Sequence, residues 1–157
     1  MTIGTAAALA LDPGSAQDAS TGTSLPAQLE ITFRHGVFGF PDCHRFVLLR
    51  TERDGFYWLQ SLEHDELAFL LADPFVFFDD YVVELNDAEA EELEPGDGSE
   101  LAVLTIVTLS RSADEPCTAN LQGPLVLNLE RGLGRQIVLT DANYGVRCPL
   151  DLSRARA

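Results

Sequence analysis

Histidine and cysteine are the residues of this chain best suited to catalysis or metal binding, and both are scarce. They are His35, His44, His64, Cys43, Cys117 and Cys148. Cys43 and His44 are adjacent, which fits neither a zinc knuckle nor a nucleophile–base pair. The C-x-x-C and H-x-x-x-H spacings of metal sites are absent. We therefore expect free thiols and no cofactor, with a metal site from Cys43, His44 and Cys148 as the alternative.

Other catalytic signatures are also missing from the sequence. The chain has no lysine, which excludes a Walker lysine, a Schiff-base lysine and a lysine nucleophile. Neither G-x-S-x-G nor G-x-G-x-x-G occurs. Adjacent acids such as Asp79–Asp80 and Glu91–Glu92 would need a buried environment to act as general acids. The sequence therefore predicts a binding protein and not an enzyme.

The acidic residues are concentrated in the middle of the chain. There are 25 acids and ten bases, all of them arginine, and the net charge is −15. Fifteen acids and no arginine lie between Asp54 and Ser110, while the rest of the chain is balanced. Such a region repels the phosphates of nucleic acids and membranes and attracts basic partners. The alternative is a solvated face that only maintains solubility.

Aromatic residues are concentrated as well. Twelve of the 13 lie between Phe33 and Tyr81. The densest group is Phe75-Val76-Phe77-Phe78, which is flanked by Asp73, Asp79 and Asp80. This group could form a partner-binding ridge or a corner that fills the core. In an extended chain Phe77 and Phe78 would point in opposite directions, so at least one would be buried.

The apolar pattern between these residues has a period close to two, which is typical of β-strands. Strands are predicted over residues 29–33, 46–49, 56–60, 67–72, 81–85, 101–109, 118–121, 125–129 and 135–140. A two-turn helix is predicted over Asn86–Leu93, with Asn86 or Asp87 as its cap and Pro95-Gly96 as its end. Short connections favour antiparallel pairing, and closure would hide the sheet edges. We therefore expect a mainly β fold, a small antiparallel β-barrel-like domain with one or two short helices.

The two ends of the chain differ in composition from its middle. Residues 1–27 are rich in Ala, Ser, Thr, Gly and Pro and are expected to form a flexible extension. Residues 28–152 are expected to form the β-domain, and residues 153–157 a frayed tail. The first residues lack the positive start of a signal peptide, and no apolar run reaches a membrane-spanning length. We therefore expect a cytoplasmic protein without membrane contact.

A series of short motifs gives this chain its family resemblance. They are residues 31–33, 36–40, 45–49, 56–62, 67–69, 73–75, 81–83, 118–121, 124–128, 136–139 and 144–150. The first two resemble the opening I-x-F-x-x-G-x-x-G-F of the FliW family of flagellar assembly factors. Phe56–Leu62 is similar to the family's F-x-x-L-Q-S strand, and the shared order of the motifs covers residues 29–151.

The resemblance implies a regulator of flagellum assembly with two protein partners. Family members bind flagellin and the RNA-binding translational repressor CsrA, and capture of CsrA lifts repression of flagellin translation. The resemblance also implies a compact β-barrel-like domain. CsrA must be basic to hold RNA, so the acidic region suits it. Flagellin termini are amphipathic helices, which dock into apolar grooves.

We expect the partner-binding residues to combine apolar and charged groups. They are Phe75, Phe77, Phe78, Asp79, Asp80, Glu84, Asn120 and Asn128. Direct contact with nucleic acid is not expected. Two other functions remain open at this point. One is an acidic nucleic-acid mimic that blocks a basic protein, and the other is a small hydrolase with two carboxylates about 5 to 10 Å apart.

Overall fold

A computed structural model of the chain describes residues 2–3, 28–94, 101–110, 112, 114–140 and 144–154. The strands are β1 (Thr2–Ile3), β2 (Gln28–Phe33), β3 (Arg45–Arg50), β4 (Phe56–Ser61), β5 (Ala68–Ala72), β6 (Val83–Glu84), β7 (Leu101–Thr108), β8 (Thr118–Ala119), β9 (Leu125–Asn128), β10 (Leu133–Gln136) and β11 (Cys148–Pro149). The helices are α1 (Pro74–Phe77), α2 (Asp87–Glu92) and a 3₁₀ turn over Leu152–Arg154.

Seven strands close into a barrel, which confirms the predicted fold class. The order around the barrel is β2, β3, β4, β5, β7, β9 and β10, and β10 returns to β2. Six of these seven pairings are antiparallel, whereas β10 and β2 are parallel, with Leu133 opposite Thr32. A ring with an odd number of strands cannot alternate direction throughout, so one parallel pair is unavoidable. The sequence analysis expected antiparallel pairing and did not anticipate this one parallel pair.

Strand β7 is apolar on both faces because it separates two hydrophobic cores. Ala102 and Leu104 pack inside the barrel, whereas Leu101 and Val103 pack in a second core outside it. Thr105 is buried, and its hydroxyl donates a hydrogen bond of 3.2 Å to the carbonyl of Ala72. The second core lies beneath α1, α2 and the strands β6, β8 and β11, which it joins to the barrel wall.

Most of the phenylalanine-rich segment is helical and not extended, because α1 covers Pro74–Phe77, although Phe77 is buried as expected for one of the pair Phe77 and Phe78. Asp73 caps α1 by accepting the amide hydrogen bond of Phe75 at 3.0 Å, and Pro74 occupies its first turn. Asp-Pro therefore ends β5 and also starts a helix. By contrast, the predicted cap of α2 is confirmed, because Asn86 and Glu89 form a reciprocal capping box.

Three predicted strands differ from the structure by two or more residues at a boundary. The strand expected over residues 81–85 is reduced to β6, which pairs with β1. Strand β10 begins at Leu133 and not at Arg135, because the β9–β10 connection has only four residues, 129–132. Strand β8 ends at Ala119 and not at Leu121.

The predicted end segments lie mostly outside the described residues. Of residues 1–27 the structure describes Thr2–Ile3, which form β1, and of residues 153–157 it describes Ser153 and Arg154 in the 3₁₀ turn. The predicted stop at Pro95-Gly96 also lies outside the described ranges. In the part of the chain that the structure describes, no helix is long and apolar enough to cross a membrane.

Candidate partner-binding site

A surface groove with a volume of about 470 Å³ lies between β6, the start of α2 and the segment that follows β10. We call it the acidic groove. Its lining residues are Val82, Glu84, Leu85, Asn86, Glu89, Val138, Leu139, Thr140 and Tyr144. Among the lining residues that the structure describes, apolar side chains are combined with two carboxylates, and none is basic. The groove therefore suits an apolar segment that carries arginine or lysine.

Alternation along β6 places the groove's side chains outward. Tyr81, Val83 and Leu85 are buried in the second core, whereas Val82 and Glu84 are exposed. The chain alternates in the same way on the opposite side of the groove, where Val138 is 57% exposed between buried neighbours. Because side chains alternate between the two faces of an extended segment, Val82 and Val138 face solvent while their neighbours are buried, and Glu84 is exposed on the same side as Val82.

Two tyrosines pack together at the groove. The rings of Tyr81 and Tyr144 pack edge to face with their centroids 4.9 Å apart. The Tyr81 hydroxyl donates to the Leu121 carbonyl at 2.7 Å, and burial strongly raises its pKa, so it remains a neutral donor. The Tyr144 hydroxyl accepts from the Val82 amide at 3.2 Å and donates to the Asp80 carbonyl at 3.4 Å. Tyr144 therefore fixes the backbone of Asp80 and Val82 at the edge of the groove.

The two other polar groups of the groove belong to the capping box of α2. The Glu89 amide donates to the Asn86 side chain at 2.8 Å, and the Asn86 amide donates to the Glu89 carboxylate at 2.9 Å. One oxygen of Glu89 is thus engaged by the helix start. Glu84 is exposed on β6, so it is the more accessible carboxylate for a partner.

The three phenylalanines predicted to bind a partner pack in or against the second core. Phe75 is half-buried and stacks on Tyr81 at 6.0 Å between ring centroids. Phe77 is only 4% exposed and packs on Phe56 at 5.4 Å, and Phe78 is half-buried against the same core. Of the two alternatives for this segment, these positions favour the core-filling corner.

The predicted acids lie at the surface. Asp79, Asp80 and Glu84 are exposed, and the structure brings Asp80 and Glu84 to opposite ends of the short segment that Tyr144 holds. Charge at this position is therefore adjacent to the apolar surface of Val82, whereas the sequence analysis had assigned the apolar contact to the phenylalanines.

The two predicted asparagines serve turns. Asn120 is half-buried and accepts hydrogen bonds from the amides of Gln122 and Gly123 at 3.1 and 2.9 Å. Asn128 has no exposed surface and donates to the Leu93 carbonyl at 2.7 Å. A partner cannot reach Asn128 in the folded protein. The contact surface that we consider below therefore omits it.

Part of the acidic region is neutralised by distant arginines, which the sequence analysis missed. Arg34 pairs with Glu94 and Arg135 pairs with Glu92, both at 2.6 Å, and His35 contacts Glu92 at 2.8 Å. Burial alone would raise the pKa of Glu92, but hydrogen bonds from His35 and Arg135 outweigh it and lower that pKa. The pKa of Glu94 is lowered mainly by its hydrogen bond from Arg34. Such long-range pairs leave no local signal in the sequence.

The groove residues Val82, Val138 and Tyr144 were also missed as site residues. Only the local alternation could have singled out Val138, since Ile137 and Leu139 on either side are buried. The cysteines are free thiols, as predicted, with Cys43 buried. Among the residues that the structure describes, no group of three His, Cys, Asp or Glu side chains is arranged to hold a metal ion.

Comparison with known proteins places this fold and sequence in one family. The sequence model of the family described as "FliW protein" matches residues 17–150. The flagellar assembly factor FliW of Natranaerobius thermophilus is 38% identical over 121 residues, which cover 76% of this chain and 80% of that protein. The FliW of Geobacter sulfurreducens is 42% identical over 130 residues, which cover 81% of this chain and 79% of that protein.

A solved structure agrees with the sequence comparisons. The chain superposes on a crystal structure of the flagellar assembly factor FliW with a TM-score of 0.70 and 36% sequence identity. The superposition covers 78% of this chain and 85% of the other. Barrel, motifs and relatives therefore agree, and the chain belongs to the FliW family of flagellar assembly factors.

Proposed function

We propose that this protein acts in the cytoplasm by binding flagellin and the translational regulator CsrA. Binding of CsrA would relieve its repression of flagellin translation once flagellin has been exported. Membership of the FliW family supports a role in flagellum assembly. The proposed action is protein binding and not catalysis, which agrees with the absence of a catalytic motif in the sequence.

The acidic groove is the observation that carries the proposal for CsrA. A protein that holds RNA presents basic side chains, and the groove offers Glu84 beside the exposed acids Asp79 and Asp80. Exposed Val82 and Val138 supply apolar surface within the same site. Complementary charge accelerates encounter, and apolar contact slows dissociation.

The test is neutralisation of the exposed acids in and beside the groove without a change of shape. The variant Asp79→Asn/Asp80→Asn/Glu84→Gln is expected to bind CsrA at least about tenfold more weakly, measured by isothermal titration calorimetry. The control Asp65→Asn/Glu66→Gln/Glu115→Gln removes the same charge from exposed positions elsewhere. Equal affinity of the two variants for CsrA would refute the groove as its binding surface.

Competition with RNA distinguishes this function from nucleic-acid mimicry. A mimic occupies the RNA site of its target and displaces RNA at fixed stoichiometry. The proposed regulator allows binding beside the RNA site. A ternary complex of protein, CsrA and labelled RNA in native electrophoresis would exclude simple mimicry.

A further inference from the structure

The first strand of the chain lies at the edge of the acidic groove. Strand β1 pairs antiparallel with β6, with Thr2 opposite Glu84 and Ile3 opposite Val83. Opposed residues of such a pair have Cα atoms roughly 4.5 to 5.5 Å apart. The backbone of Thr2 therefore lies beside Glu84, which is the more accessible carboxylate of the groove.

Strand β1 lies outside the part of the chain that matches the family. The family model covers residues 17–150, and the first barrel strand, β2, begins at Gln28. Strand β1 pairs with β6 in a sheet of its own and not with the barrel. A segment outside the matched residues therefore contacts the groove that lies within them.

Strand β6 is anchored by contacts that do not involve β1. Val83 and Leu85 are buried in the second core, and the Val82 amide donates to the Tyr144 hydroxyl at 3.2 Å. Among the described strands, β1 is the one that pairs with β6. Detachment of β1 would therefore leave an anchored strand whose backbone donors and acceptors can pair with another extended segment.

The pairing of β1 with β6 is short enough to be displaced. It covers two residues of each strand, and an isolated two-stranded ribbon is marginally stable in water. Segments of this kind open locally while the rest of the fold stays intact. Residues 4–27 join β1 to the domain, so β1 can return to β6 whenever the edge is free.

A basic partner has an advantage over β1, which is its charge. Residues 1–27 contain two acids, no arginine and no lysine. The groove contributes the carboxylates of Glu84 and Glu89. Strand β1 leaves this negative charge uncompensated, whereas arginine or lysine on a partner compensates it. The partner can therefore replace β1 at the groove.

We propose that β1 competes with the basic partner for the edge of β6, and that binding of this partner displaces β1. The inference rests on the proposed function, in which CsrA is the basic partner. It adds a regulation of the same site, because the groove is open to CsrA only in the fraction of molecules in which β1 is detached. The apparent affinity for CsrA is reduced by that fraction.

The first test weakens β1 in the full-length protein. Thr2→Pro/Ile3→Pro removes two backbone N–H groups and is expected to increase the affinity for CsrA at least about threefold, measured by isothermal titration calorimetry. Thr2→Val/Ile3→Val is the matched control, because valine favours strands, and it is expected to bind as the wild type does. Faster hydrogen exchange of residues 82–85 in the proline variant shows that the edge of β6 is free.

The second test holds β1 in place. Thr2→Cys/Glu84→Cys joins two opposed positions whose Cα separation suits a disulfide. The oxidised variant is expected to bind CsrA at least about tenfold more weakly than the same variant when reduced, so the loss of Glu84 affects both forms equally. Wild type under the same two conditions controls for the three native cysteines.

The outcomes separate this inference from the proposed function. If wild type binds CsrA, unchanged affinity of a proline variant with a free edge overturns the competition by β1, and the proposed function stands. Equal affinity of the oxidised and reduced cysteine variant overturns the competition as well, whether or not the prolines free the edge. If neither wild type nor the proline variant binds CsrA, the proposed function fails and this inference fails with it.

Discussion

At the residue scale, Asn128 shows how a polar side chain can support a site from inside the protein. Its amide group donates to the Leu93 carbonyl at the end of α2, and its oxygen accepts from the amides of Glu130 and Arg131 at 3.1 and 3.2 Å. It therefore ties α2, which lines the acidic groove, to the β9–β10 connection. Buried polar groups of this kind are expensive to leave without partners.

Replacement of this side chain gives the first prediction. Asn128→Ala is expected to lower the free energy of unfolding by about 2 kcal/mol, because a buried carbonyl and two amides lose their partner. Asn120→Ala, at a half-buried turn, is expected to cost about 1 kcal/mol or less. Urea denaturation followed by circular dichroism measures both. A smaller loss for Asn128 than for Asn120 would contradict the structural role.

The sequence could not distinguish these two asparagines. Asn128 ends a short strand and Asn120 directly follows one, and both were predicted to contact a partner. Their difference depends on α2, which packs over Asn128 but lies 34 to 35 residues earlier in the chain. Burial that results from packing between distant segments leaves no local pattern in the sequence. The exposure of Asp79 and Asp80 could be predicted, because they lie in a strongly acidic part of the sequence.

At the element scale, closure of the barrel depends on a glycine where β10 meets β2. Gly134 pairs with Phe33 across the parallel ladder and with Leu127 across the antiparallel one. A Cβ atom built there would lie 2.7 Å from the Phe33 ring and 2.8 Å from a methyl group of Leu127. The absence of a side chain allows the Phe33 ring to fill the barrel interior at this level.

The addition of a methyl group to Gly134 gives the second prediction. Gly134→Ala is expected to destabilise the protein by roughly 1–3 kcal/mol, because it overpacks the barrel where the parallel pair closes it. Gly145→Ala is the control, since its added Cβ would meet Cys148 only at 3.8 Å. Thermal melts compare the two variants. Equal melting temperatures would show that the Phe33 ring moves aside at no cost.

Most elements could be predicted because their signals are local. The alternation of residues 29–33 and the capping residues of α2 were interpreted correctly. Helix α1 was missed because Asp73-Pro74 both ends a strand and caps a helix, and the apolar residues that follow are typical of strands. The parallel closure depends on the total number of strands in the barrel, which no single segment reveals.

At the scale of the whole molecule, negative charge is concentrated at one surface. Glu84 and Glu89 line the acidic groove, and Asp79 and Asp80 are exposed beside it. The sequence revealed the acidic region as a whole. It did not reveal that Glu92 and Glu94 are paired with arginines, so the field is concentrated on fewer carboxylates than the sequence suggests.

The dependence on salt gives the third prediction. Raising ionic strength from about 0.1 M to about 1 M shortens the screening length from roughly 10 Å to 3 Å. The association rate with CsrA is expected to fall about tenfold or more, because salt screens the attraction between the acidic groove and a basic partner. Stopped-flow fluorescence measures this rate, and the Asp79→Asn/Asp80→Asn/Glu84→Gln variant is the control, since its rate should depend less on salt. Equal salt dependence of the wild type and this variant would argue against the acidic groove as the surface of encounter.

The parallel pair that closes the barrel also constrains when the protein can fold during its synthesis. Strand β2 is complete about 100 residues before β10 emerges, an interval of roughly 5 to 20 s at ordinary translation rates. Throughout that time the β2–β3–β4–β5 meander has an open edge at β2. Contacts between such distant segments slow folding and leave the nascent chain open to aggregation. The polar Gln28, Glu30 and Thr32 along β2 reduce this risk until the last strand arrives.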